Sequence, residues 1–166
     1  MSLNKEKMKQ FIHYIIAKCH DKPNFGKTVL YKLMYFSDFN YYELYETLIT
    51  DEVYIKRRHG PIPTHFDDCC NELKNENKID NKEEIVYSLS RNKHFSLKKA
   101  DTSLLSNNEL KVIDDVIKKL SHMTAREIST YSHGDKPWRV AKLYDELNPE
   151  FVFYRDEEYS VREYDD

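Results

Sequence analysis

The stretch from Lys27 to Pro63 anchors the apolar pattern of the chain. It opens as a helix with two neighbouring stripes. Leu30, Leu33, Met34, Tyr41, Leu44 and Tyr45 share one face; Tyr31, Tyr35, Phe39 and Tyr42 share the next. A helix apolar around so much of its girth is sandwiched between other elements rather than laid on a surface. The pattern then predicts a turn near Thr50-Asp51 and a strand over Val53–Arg58, stopped at His59-Gly60-Pro61.

The flanking patterns are simpler. Met8, Phe11, Ile12, Ile15, Ile16 and Cys19 predict a first helix over about residues 4–20, with Cys19 as a small buried hydrophobe. Beyond the Gly-Pro elbow, Pro63-Thr64 is expected to open a third helix that buries Ile62, Phe66, Cys69, Cys70 and Leu73. Glu84–Leu89 and His94–Lys98 read as strands joined by a turn at Ser90–Lys93, a small antiparallel sheet that the first strand could join.

Two helix starts are written clearly. Ser106 with Glu109, and Thr124 with Glu127, form capping boxes; Leu105 with Leu110, and Met123 with Ile128, form the matching hydrophobic staples. The second helix should stop at Gly134 in the position of a left-handed cap. Pro137 suits the first turn of a last helix that ends before Pro149. The fold class expected is α+β, mainly α-helical: five to six helices with a small antiparallel sheet.

Composition refines this picture. A chain of 166 residues is expected to form one domain, with its core in residues 5–145 and an acidic tail over 145–166. Tyrosine occurs 13 times, so much of the core should be aromatic, with hydroxyls seeking partners. Residues 145–166 hold 9 Asp/Glu against 2 Arg, and residues 1–144 hold 24 Lys/Arg against 20 Asp/Glu. The body is mildly basic and the tail is expected to be solvated. The overall charge of −3 does not mark a nucleic-acid binder. Three cysteines, two of them adjacent, suit a reduced cytoplasmic protein, and no apolar run is long enough to span a bilayer.

Candidate chemistry is sparse. His65 and Cys69 have chelating spacing on a helix, but no recognised metal motif occurs. Gly26-Lys27-Thr28 echoes the end of a phosphate loop without its first glycine or its strand. No metal, cofactor or catalytic residue is therefore expected. The run Lys56-Arg57-Arg58-His59 reads as a charged, partner-facing edge. The corner from Tyr131 to Trp138 has two readings: Trp138 plugs the core, or the corner and Gly60-Pro61 form two walls of a contact site.

Two ordered motifs carry a resemblance. Lys32–Asp38 followed by His59-Gly60-Pro61, and Leu105–Glu109 followed by Ser132-His133 and Pro137-Trp138, resemble the Panacea domain family. These phage-associated or GepA-like proteins include SocA-type antitoxins. The resemblance covers roughly residues 5–145 and implies a mainly helical domain that neutralises a toxin, usually encoded beside it, by direct binding. SocA-like members also hand the toxin to a ClpXP-type protease. The positions matching the family's signature are Tyr35, Asp38, Gly60, Pro61, His133, Pro137 and Trp138. Tyr54, Arg57, Tyr131 and Trp138 are the expected hot spots of a protein interface. Two rivals stand beside this reading. One is a small hydrolase or nucleotide-handling enzyme, which needs Asp38, His59 and His133 to converge in one cleft. The other is a nucleic-acid-binding regulator acting through Lys56–His59.

Overall fold

The computed structural model describes residues 3–86 and 88–165. Among them, six α-helices, a short 3-10 helix and two two-stranded antiparallel sheets make a mainly helical α+β fold. Helix α1 (Lys5–Cys19) starts where the Asn4 side chain accepts from the Lys7 amide, and it buries its whole predicted stripe. Helix α2 (Lys27–Tyr45) runs through the centre, with every residue from Lys32 to Phe39 buried. It packs against α1, against α4 (Asn107–Leu120) and α5 (Ala125–His133), and against the 3-10 helix Pro149–Tyr154. The burial fades toward its end. Tyr41 and Leu44 are half-buried and Tyr45 is exposed, unlike the expected stripe.

Strands β1 (Tyr54–Arg57) and β2 (Gly60–Pro63) form a hairpin with Arg58-His59 as its two-residue turn. His59-Gly60-Pro61 does not end the strand region and Pro63 does not start a helix; both prolines are instead in a strand. The register explains how. Arg57 pairs with Gly60 beside the turn, so Pro61 and Pro63 fall opposite Lys56 and Tyr54, at positions without ladder hydrogen bonds. Lys56 and Tyr54 use their backbone groups outward, bonding Asp145, Tyr144 and Leu147 at 2.8–2.9 Å. Gly60 sits at φ +118, and a Cβ there would collide with the side chains of Ser132 and Lys32, so only glycine fits. Helix α3 then begins at Phe66 and runs to Asn75.

The second hairpin pairs β3 (Ile79–Val86) with β4 (Leu89–Ser96). Ser90–Lys93, expected to be the turn, lies inside β4. Polar residues populate this strand because the outer half of the hairpin stands in solvent, where Ile85 is 80% exposed and Arg91 pairs with Glu84 at 2.9 Å. Tyr87, expected within the first of these strands, lies outside the described residues. The two hairpins do not merge into one sheet. Residues 144–147 occupy the open edge of β1, and the Pro61 carbonyl of β2 accepts from Lys32.

Both capping boxes form as read, at Ser106/Glu109 and Thr124/Glu127. Gly134 does not adopt a left-handed conformation; its φ is −84. Glycine is needed there because a Cβ would run into the Tyr159 ring. Helix α6 spans only Lys136–Val140, shorter than predicted, because Ala141 turns extended and leads the chain back along β1. The acidic tail is not solvated throughout. Tyr159 is buried, and Ser160, Arg162 and Tyr164 bond to Glu43 of α2.

A candidate interaction surface and the polar network beneath it

Asp38 is fully buried on α2. Its Oδ1 accepts the amides of Ile49 and Thr50 at 2.9 and 3.1 Å, and its Oδ2 accepts the hydroxyls of Thr50 and Tyr54 at 2.8 and 2.6 Å. Four donors therefore tie the loop after α2 and the start of β1 to one carboxylate. Burial outweighs these bonds and pushes its pKa up to about 6. Tyr35, Phe36, Phe39 and Tyr54 pack around it as an aromatic cluster with ring centroids 4.4–5.8 Å apart.

A second network joins α2 to the α5–α6 corner and the tail. The Tyr35 hydroxyl donates to Asp135 Oδ2 at 2.7 Å. Arg155 grips Asp135 through Nε and Nη2, both at 2.8 Å, and reaches Asn40 and Glu43 through Nη1 at 2.8 and 3.0 Å. The Arg155, Asp135 and Glu43 side chains have no exposed surface. The three pieces singled out in the sequence thus meet: the Asp38 helix, the Gly-Pro elbow bonded by Lys32, and the His-Gly/Pro-Trp corner.

At the surface of this junction the chemistry changes. His133 stacks on Trp138, centroids 4.2 Å apart at 16°. Trp138 does not plug the core. It is half-buried, donates through Nε1 to the Arg57 carbonyl at 3.3 Å and carries the Lys56 ammonium over its ring at 3.9 Å. Exposed Arg57 lies 5.3 Å over the Tyr144 ring. Val140, Leu143 and Tyr144 are 48%, 49% and 65% exposed on the segment that follows. Sequence reasoning missed these three, because a helix expected to continue toward Pro149 would have turned some of them inward.

The ten candidate residues divide by burial. Arg57 is exposed, and His133 and Trp138 are half-buried at the surface. Tyr131 is half-buried under the Tyr159 ring, 4.7 Å away. Tyr35, Asp38, Tyr54, Gly60, Pro61 and Pro137 are buried and support the surface from below. His59 and His133 line one cleft, but the Asp38 carboxylate is spent on Ile49, Thr50 and Tyr54, so the triad required by the hydrolase reading does not assemble.

The metal pair is also committed elsewhere. His65 Nδ1 lies 2.6 Å from Glu52 Oε1, and burial pushes the Cys69 and Cys70 thiols up to about 11 and 12. Among the described residues, no group of three or more His, Cys, Asp or Glu is arranged to hold a metal ion, and no helix is long and apolar enough to cross a membrane.

These features define a mainly helical α+β protein in which α2, the Gly-Pro elbow and the α5–α6 corner meet. The chain belongs to the antitoxin SocA-like, Panacea domain family, whose match spans residues 30–139, from the first turn of α2 to the last turn of α6. Membership implies an antitoxin-like role. No curated protein and no solved structure matches the chain.

Proposed function

We propose that this protein is an antitoxin that neutralises a cognate toxin by direct protein–protein contact. The contact surface is the β1–β2 hairpin tip together with the Trp138–Tyr144 segment. One observation carries the reading: half-buried Trp138 and exposed Tyr144 stand beside Arg57, which makes no ion pair among the described residues, and Val140 and Leu143 are exposed on the segment between them. Interfaces concentrate their energy in such aromatic and arginine anchors. Tyr144 adds a second sign. It holds φ +73, a conformation that costs a bulky residue about 1 kcal/mol and that clusters at functional positions.

The test is co-expression with the product of the neighbouring reading frame. Wild-type protein should relieve growth arrest and co-purify with that product. Trp138→Ala combined with Tyr144→Ala should lose both effects while the chain stays folded, with a cooperative melting transition. If the wild type neither rescues growth nor co-purifies, the reading fails. The same reading has the protein acting in the cytoplasm as one domain. Delivery of the toxin to a ClpXP-type protease is an extension of it, and a toxin lifetime unchanged by the antitoxin would remove that extension alone.

A further inference from the structure

Lys32 is 1% exposed, yet no carboxylate pairs with it among the described residues. Its ammonium donates to one acceptor, the Pro61 carbonyl at 3.1 Å, and leaves two N–H groups unused. It forms the floor of a cleft of about 250 Å3 whose rim is Arg57, Arg58 and His59. A second lobe of about 450 Å3 carries Arg126 and His133 and shares Thr28 and His59 with the first. Among the described residues, no aspartate or glutamate lines either lobe, in a chain with 29 of them, and His133 Nε2 is buried without a hydrogen-bond partner. Thr28, common to both lobes, belongs to the first turn of α2, which has no acidic residue and no side-chain cap.

We propose that this two-lobed cleft binds a phosphate-bearing small molecule, with the Lys32 ammonium at the floor and Arg57, Arg58 and Arg126 at the mouth closing on a doubly charged phosphoryl group. Several cations around one small space outnumber the single charge of a carboxylate and suit a dianion. The depth of Lys32 selects a terminal phosphate over a nucleic-acid backbone. A phosphodiester chain tracks along a surface, whereas only a compact end group reaches a buried donor. The inference does not rest on the antitoxin reading.

Binding has a proton signature. Burial lowers the Lys32 pKa from 10.5 to about 7, so the unliganded ammonium is partly deprotonated at neutral pH. An anion seated beside it restores the charge. The other groups facing the cleft are Tyr31 and Thr28 on α2, Arg57, Arg58 and His59 on the hairpin, and Arg126 and His133 on α5.

Calorimetric titration of the full chain in phosphate-free buffer tests this, with inorganic phosphate, pyrophosphate, adenosine monophosphate, glutarate and a single-stranded oligonucleotide as separate probes. Pyrophosphate or the nucleotide should bind with proton uptake near neutral pH, and inorganic phosphate distinguishes a bare anion site from one that also needs a nucleoside. Lys32→Met should weaken binding about tenfold or more, and Arg58→Ala and Arg126→Ala should each weaken it about threefold or more. Arg58 and Arg126 are exposed, so these two variants keep the test valid if the Lys32 variant misfolds. Three results overturn the proposal: no phosphate probe binds, glutarate or the oligonucleotide binds as tightly as pyrophosphate, or the arginine variants leave affinity unchanged.

Discussion

Arg155 and Asp135 form a two-pronged ion pair, Nε to Oδ1 and Nη2 to Oδ2 at 2.8 Å each, with neither side chain reaching solvent. The pair closes the fold. It pins the segment after the 3-10 helix to the α5–α6 corner, while the third nitrogen holds Asn40 and Glu43 on α2. Coulombic attraction from Asp135 and Glu43 and the hydrogen bonds to Asp135 keep the guanidinium charged despite its burial, raising its pKa further above the ordinary arginine value. Arg155→Ala would leave two buried carboxylates without their cation, a change that costs about 3–5 kcal/mol. Urea unfolding should show this loss. Arg155→Lys should recover little of it, because an ammonium cannot reproduce the fork.

Lys32 predicts an unusual alkaline limb. Its pKa falls from 10.5 in the unfolded chain to about 7 in the folded one. Between those values the unfolded chain binds the extra proton, so stability rises with pH. The penalty is full below about 7 and relieved as pH climbs toward 10.5, with a slope approaching about 1.4 kcal/mol per pH unit. Lys32→Met should be more stable than wild type at pH 6 and should flatten the rise. Urea midpoints measured at about one-unit pH intervals check this.

The sequence made the helices legible and hid the places where the backbone does something local. The α1 stripe, the sandwiched α2 and both capping boxes rest on periodicity and on side-chain oxygens three residues from an amide, which any short window contains. The β1–β2 hairpin was hidden because prolines at positions 61 and 63 argue against a strand until the register shows that neither owes a ladder bond. Gly134 was misread because its neighbour Tyr159 lies 25 positions away in the chain. The tail looked solvated because its acidic residues are the majority, whereas Arg155, Tyr159 and Ser160 decide its position. At the candidate site, Asp38, the elbow and the corner could be grouped from ordered motifs. That Leu143 and Tyr144 lie outside depended on where α6 stops.

Asp38 shapes the acid limb in the opposite sense. Its pKa rises from 3.8 to about 6 on folding, so the folded chain holds a proton that the unfolded chain has lost. Its contribution to stability therefore falls as pH rises through that window, by up to about 3 kcal/mol. Asp38→Asn should remove this dependence at modest cost. The amide oxygen can still accept from Ile49 and Thr50, and the two hydroxyls can accept from its NH2 group. Asp38→Ala orphans all four donors and should cost about 3 kcal/mol or more. Together the two buried groups put a trough near pH 6–7 into the stability profile, and the difference between wild type and the Lys32→Met, Asp38→Asn double variant isolates it.

Tyr144 separates stability from binding. It is 65% exposed and holds φ +73, so its ring contributes little burial while its Cβ meets the steric penalty of the left-handed region. Its amide still donates to the Lys56 carbonyl at 2.8 Å, a bond that any residue preserves. Tyr144→Gly removes the penalty and keeps the bond, but frees the unfolded backbone by about 0.5–1 kcal/mol, so these two backbone effects nearly cancel. Loss of the exposed aromatic contact beneath Arg57 costs about 0.5–1 kcal/mol more, so the variant should be slightly less stable than wild type. If the Trp138–Tyr144 segment is the toxin-binding surface, the same substitution weakens toxin capture by about tenfold or more, the range of an aromatic hot spot. A variant that melts close to wild type and rescues growth much less is the expected pair of results. Rescue equal to that of wild type would show that the strained tyrosine serves something other than this contact.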